Sequence, residues 1–190
     1  MLKHKLEKFD NLVEAFEAIP TIGKKSALRF AYHLVLNDTF LAMKLSNAIE
    51  SAVKSIKKCQ ICGAISENEI CEICLDEQRD KSKICIVENA KDIFVLEENA
   101  LFDGKYFVLE NLEKDTISKL KEIADDDVRE MIFALTPSLS NDAVMLFVED
   151  QLEAFDISFT KIAQGVPTGV HLENVDMLSL SKAMDLRVKL

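Results

Sequence analysis

Cys59-Gln60-Ile61-Cys62-Gly63, followed by Cys71-Glu72-Ile73-Cys74, is the stretch that organises this chain. The two Cys-x-x-Cys pairs are separated by eight residues. Four thiolates at this spacing suit one tetrahedral zinc ion with Zn–S bonds of about 2.3 Å. The two-residue gap lets each pair aim both sulfurs at one point. Gly63 follows the first pair, where a tight turn calls for positive φ. The loop 64–70 is short and polar and has no core of its own, so a metal would supply its folding energy. Two disulfides or a redox pair fit less well, because redox motifs come singly beside a βαβ unit and the N-terminus shows no export signal. The expectation is one structural zinc per chain.

Length and composition are consistent with this. The chain has 190 residues, 48% of them hydrophobic, enough for a medium domain or two to three small ones. No apolar run reaches the roughly 18 residues of a membrane helix. Five cysteines, four of them assigned to metal, point to a reducing, cytoplasmic setting. The fifth, Cys85, sits in Ile84-Cys85-Ile86-Val87 and reads as a buried, inert thiol. The net charge is −10, but residues 1–60 carry +4 and residues 61–190 carry −14. A basic beginning joined to an acidic remainder fits one end that meets phosphate and another that does not.

Residues 3–19 read as an amphipathic helix with Leu6, Phe9, Val13 and Phe16 on one face, stopped by Pro20. The turn Ile19-Pro20-Thr21-Ile22-Gly23 then feeds a helix over 24–36, with Leu28, Ala31, Leu34 and Val35 as its apolar face and Gly23 placed for an unusual φ. Two helices joined by such a turn form a helix-hairpin-helix pattern, whose backbone N–H groups can meet a DNA phosphate. Lys25 and Arg29 fall one turn apart on the same side, where two cations reach neighbouring phosphates. Lys24, and further off Lys54, Lys57 and Lys58, extend the patch. The alternative is an ordinary αα-hairpin with solvated cations. A third helix, 40–56, should turn Leu41, Leu45, Ile49, Ala52, Val53 and Ile56 to a core.

Beyond the cysteines strands and helices alternate. Strands are expected at 83–88, 105–110, 131–135 and 158–163, and helices at 90–98, 115–124, 142–155 and 178–189. The helix over 142–155 should turn Val144, Phe147, Val148, Leu152 and Phe155 inward. This order predicts a mostly parallel sheet with helices on both faces. Ligands of such sheets sit beyond the carboxyl ends of the strands. Glu88, Asp92 and Asp142 approach that end, and three converging carboxylates would suit Mg²⁺. Singly, they are a strand-end residue and helix-start acids. There is no Ser-His-Asp set, no Gly-rich phosphate loop and no His pair at metal spacing.

The motif order resembles the RecR family of bacterial recombination mediators. The residues that carry the resemblance are 19–34, the four-cysteine knuckle with Leu75-Asp76-Glu77-Gln78-Arg79-Asp80, Ile86-Val87-Glu88, and 162–169. The resemblance implies an α+β multidomain chain with a helix-hairpin-helix DNA-binding region (1–56) and a four-cysteine zinc knuckle (57–76). It further implies a Toprim α/β domain (80–164) and a C-terminal helical segment that completes an oligomer (165–190). It implies a non-enzymatic repair mediator, a dimer or tetrameric ring, that acts with RecO, and often RecF, to load RecA onto single-stranded DNA covered by SSB. Lys25 and Arg29 match the family's DNA-contacting cations. The chain departs from the family's pattern in several places. Thr21 stands for a usual Gly, Glu110-Asn111 for Gly-Gly, and Gly169-Val170-His171 for Gly-Gly and an acid. Ser140-Asn141-Asp142 keeps one acid of an acidic loop. Glu88, Asp92 and Asp142 are therefore candidates for partner docking. The competing reading is a Toprim-type Mg²⁺-dependent nuclease or primase-like enzyme, which needs a base or nucleophile that the sequence does not offer.

Overall fold

The chain divides after Ile56 into two units, residues 1–56 and 57–190. The computed structural model describes residues 6–99, 101–163, 165–166 and 168–187. The expected helix start at residue 3, Pro167 of the late loop and the expected helix end at 189 lie outside them.

In the first unit, α1 (Glu7–Glu17) stops ahead of Pro20, and α2 (Lys24–Tyr32) follows the hairpin turn. The left-handed residue in the turn is Thr21, with φ 71°, whereas Gly23 is extended at φ −86° and serves as the N-cap of α2. The expectation of an unusual φ at Gly23 is thereby corrected. The chain reverses two residues earlier, closing with the Ile22 N–H donating to the Ile19 carbonyl at 3.1 Å. Regular α-helix does not run to 36 but gives way to a π-helical turn, His33–Asn37. The buried face consists of Ala27, Ala31 and Leu34, while Leu28 and Val35 face outward. Small alanines let α1 and α2 approach closely, and Phe16 and Phe30 pack edge to face at 5.9 Å.

Asp38 caps α3 (Thr39–Ser55) by accepting from the Leu41 N–H at 2.8 Å. The apolar face expected to meet a core is instead open. Ile49 is 63% exposed and Val53 78%, with Leu45 and Ile56 also exposed, while Leu41 and Ala52 are half-buried. Periodicity correctly marks an apolar stripe, but among the described residues of the 1–56 unit no layer covers it.

In the second unit, β1 (Lys57–Lys58) and β2 (Ile65–Ser66) pair antiparallel and carry the first cysteine pair between them, and α4 (Glu72–Leu75) carries Cys74. The main sheet is wholly parallel. Its strands are β3 (Asp80–Val87), β4 (Gly104–Val108), β5 (Glu130–Ala134) and β6 (Ser158–Lys161), in the order β4-β3-β5-β6. The crossover helices are α5 (Ala90–Glu98), α6 (Lys114–Ala124) and α7 (Leu139–Gln151), and α8 (Met177–Asp185) follows the sheet. One face packs Ile84, Ile86, Phe107, Met131 and Phe133 under Leu120 of α6 and Val148 of α7. The other packs Cys85, Val87, Tyr106 and Val108 under Ile93 of α5 and the cysteine knuckle. Helix α7 begins at 139, not 142, because the Ser138 hydroxyl accepts from the Asn141 N–H at 3.1 Å. Phe147 of α7 is 39% exposed, against the inward expectation, and Met145 packs on the core instead.

A β-branched residue in the left-handed region costs about 1–2 kcal/mol. Thr21→Gly removes that strain against a glycine entropy cost of about 0.5–1 kcal/mol. A gain near 1 kcal/mol is expected, read as a higher denaturant midpoint. An unchanged or lower midpoint contradicts it.

Candidate functional site

The knuckle brings its four cysteines together: their sulfurs all lie within 4.8 Å of one another. Cys59 Sγ is 3.9 Å from Cys74 Sγ, and Cys62 Sγ is 3.6 Å from Cys71 Sγ. A tetrahedron of sulfurs around zinc with bonds of about 2.3 Å has edges of about 3.8 Å, so the donor set fits zinc. These separations are far beyond a disulfide bond of about 2.05 Å, and all five cysteines are free thiols. Gly63 takes φ +76° as expected, and a Cβ there would meet Val108 Cβ at 3.3 Å. Backbone N–H groups turn onto the sulfurs, Ala64 onto Cys62 at 3.4 Å, Cys71 onto Cys59 at 3.3 Å and Cys74 onto Cys71 at 3.4 Å. Such donors favour thiolate over thiol.

Without metal the sulfurs differ in how firmly they hold their protons. The Cys74 thiol, hydrogen-bonded to Cys62, lowers Cys62 to about 6. That same bond and burial push Cys74 far up, and burial raises Cys71 to about 11. Metal binding must therefore displace protons from Cys71 and Cys74.

Lys24, Lys25 and Arg29 are exposed on the first two turns of α2, and none is in an ion pair among the described residues. No side chain caps this helix; the Ser26 N–H is taken by the Gly23 carbonyl at 2.9 Å, and the Lys24 and Lys25 N–H groups have no hydrogen-bond partner among the described residues. Of the other candidate cations, Lys57 is likewise exposed and without an ion pair among the described residues, but Lys54 and Lys58 differ. Lys54 pairs with Glu50 and Lys58 with Glu110, so both are partly neutralised.

The three carboxylates do not gather. Among the described residues, the four cysteines are the one group of three or more His, Cys, Asp or Glu with ligand atoms within metal reach. Glu88 stands at the switch point of the sheet, between the ends of β3 and β5. Its carboxylate accepts long bonds from the Thr136 N–H and Asn141 Nδ2, both 3.4 Å. Asp92 accepts from the Asn89 N–H at 3.0 Å, completing a capping box on α5. Asp142 lies 3.6 Å from Lys161.

Two neighbours of the knuckle escape a sequence reading. Arg79 donates to the Gly104 carbonyl at 3.0 Å, pairs with Glu97 and lies 6.0 Å over the Tyr106 ring, whose hydroxyl donates to Glu97 at 2.7 Å. Lys105 reaches the carbonyls of α4 from the edge strand β4. The only sequence signal for the first is the charged run after Cys74, and for the second a lysine inside a strand. Among the described residues no helix is long and apolar enough to cross a membrane.

Residues 9–53 match the family described as RecR, helix-hairpin-helix, and residues 56–76 match the RecR four-cysteine zinc finger domain. Full-length relatives are also similar. A protein of a Nitratiruptor species is 58% identical over all of both chains. One of Campylobacter jejuni subsp. jejuni is 53% identical over 97% of this chain and 98% of its own. One of Helicobacter pylori is 48% identical over 98% and 97%. All three carry the name Recombination protein RecR.

Burial alone pushes the Cys85 thiol up to about 12. At pH 8 it is protonated and inaccessible, and should resist iodoacetamide in the folded protein. Mass spectrometry after chelator treatment should find the four knuckle cysteines alkylated and Cys85 free until denaturant is added. Labelling of Cys85 under native conditions contradicts this.

Proposed function

Because the chain belongs to the RecR family of recombination proteins, with a role in recombinational repair, we propose that it is a non-enzymatic mediator. In this reading it binds DNA and acts with RecO, and with RecF where one is present, to load RecA onto SSB-covered single-stranded DNA. One structural zinc per chain holds the knuckle. The observation that carries the DNA part is the pair Lys25 and Arg29, exposed, without ion-pair partners among the described residues, and one turn apart beside an uncapped helix start. Backbone N–H groups and two cations in that arrangement suit phosphates rather than bases.

One such patch grips weakly, so assembly matters. The open apolar stripe of α3 supports a homo-oligomer, a dimer or tetrameric ring, since an exposed stripe of Leu45, Ile49, Val53 and Ile56 is costly in a lone copy. Several copies would then add phosphate contacts through effective concentration.

The Toprim-type half carries the acidic excess and is assigned to a basic protein partner. Glu88, Asp92 and Asp142 are the candidates at the switch-point end of the sheet. The exposed pair of Asp142 with Lys161 is worth little, about 0–1 kcal/mol, and a better-placed partner cation can replace it.

Two outcomes test this reading. Lys25→Ala with Arg29→Ala should weaken single-stranded DNA binding and flatten the slope of log K against log salt by about one unit per cation at most. Zinc content and oligomer size should stay unchanged. DNA binding equal to the parent at matched salt would assign α1 and α2 to an ordinary αα-hairpin. Glu88→Gln and Asp142→Asn should each weaken binding of a RecO-type partner with the thermal transition unmoved. Mg²⁺-dependent DNA cleavage that disappears with Glu88→Gln would replace the mediator with a Toprim-type enzyme.

A further inference from the structure

A lysine in the middle of a buried edge strand is an unfavourable placement. Lys105 is 8% exposed, in a strand whose every residue is buried. It is the one buried charged side chain among the described residues. No carboxylate lies within ion-pair distance of it among those residues. Instead its ammonium donates to three backbone carbonyls, those of Ile73 at 2.6 Å, Cys74 at 3.2 Å, and Asp76. These carbonyls belong to α4 and the residue that caps it, the stretch that carries Cys74.

Carbonyls satisfy the three N–H bonds but supply no compensating unit charge. A buried cation normally requires one. The cysteine centre could supply it once loaded, because a zinc ion held by four thiolates would have a net charge of about −2. We propose that Lys105 is the counter-charge of the four-cysteine metal centre, a positioning residue that draws charge from the thiolates through the α4 backbone and so holds them on the metal. The assignment rests on zinc being bound by Cys59, Cys62, Cys71 and Cys74.

The charge has a chemical consequence. A thiolate of a zinc centre with net negative charge would attack one sulfur of a disulfide, forming a mixed disulfide as the S–S bond breaks and the other thiolate leaves; with a ligand lost, the metal would dissociate. A cation beside the centre lowers the nucleophilicity of the sulfurs and slows that loss. Lys105 thereby protects the centre, in addition to joining α4 to β4.

Three variants separate charge from stapling. Lys105→Met removes both charge and hydrogen bonds. Lys105→Gln keeps a donor and drops the charge, and Lys105→Arg keeps the charge. Zinc release from the full-length protein is followed with a chromogenic chelator during reaction with an aromatic disulfide. The Co²⁺-substituted protein is read by its sulfur-to-cobalt charge-transfer band. The Met and Gln variants should both release zinc faster, by roughly 10- to 100-fold, and shift the band to lower energy, while the Arg variant behaves as the parent. If the Met variant unfolds, the comparison of Gln with Arg still decides. A Gln variant matching the parent in both rate and band would make Lys105 only a staple and overturn the proposal. A parent protein that binds no zinc would remove the premise itself, and is distinguished by metal analysis before any variant is compared.

Discussion

The outer edge of β4 is the constraint on which the 57–190 unit depends. A parallel sheet with an unpaired edge exposes a row of N–H and carbonyl groups. Here the knuckle occupies that edge: the Val108 N–H donates to the Cys62 carbonyl at 2.8 Å, and Gly63 lies against Val108 without a Cβ. Gly104 at the other end of the strand is equally constrained, since a Cβ there would sit 2.5 Å from the Lys83 carbonyl. A single edge hydrogen bond is worth about 0.5–1.5 kcal/mol, whereas structural zinc in small fingers supplies apparent energies of about 10–16 kcal/mol. Zinc held by the four cysteines would therefore outweigh that bond, and the knuckle it orders would bring Ala64 and the cysteines into the core around Cys85, Val87 and Tyr106.

Features set by local spacing are readable from the sequence. The four cysteines, the positive φ of Gly63, the alternation that makes a parallel sheet and the buried Cys85 each follow from a few neighbouring residues. Features set by what lies opposite are not. The stripe on α3 is a correct apolar pattern, yet periodicity says nothing of what covers it. Thr21 in the left-handed region defeats a rule that assigns such positions to glycine, because the position of the reversal depends on how Ile22 closes onto Ile19. Lys105 reads as an ordinary strand lysine, and its meaning comes from α4, which lies far earlier in the chain. The carboxylates show the same limit. Glu88 does stand at the switch point, but Asp92 is committed to capping α5 and Asp142 faces Lys161, so proximity in a topological sketch does not become a metal site.

The division of charge along the chain gains meaning from which charges are already answered. Lys54 at the end of α3 pairs with Glu50 and Lys58 beside the knuckle with Glu110, and Lys105 has the carbonyls of α4, whereas Lys57 is exposed and has no ion pair among the described residues. Lys25 and Arg29 have none among the described residues, and they stand where helix N–H groups are also open. An isolated exposed cation is fully hydrated and forfeits little by waiting for a phosphate, while a paired one must first break its pair. The same logic runs in reverse on the acidic half, where exposed pairs such as Asp142 with Lys161 are weak enough to exchange for a partner's cation. On the proposed function, unpaired cations on the hairpin and the exposed Asp142–Lys161 pair on the sheet suit nucleic acid and protein as ligands of different parts of one chain, and zinc held between them in sequence would have its charge answered by Lys105.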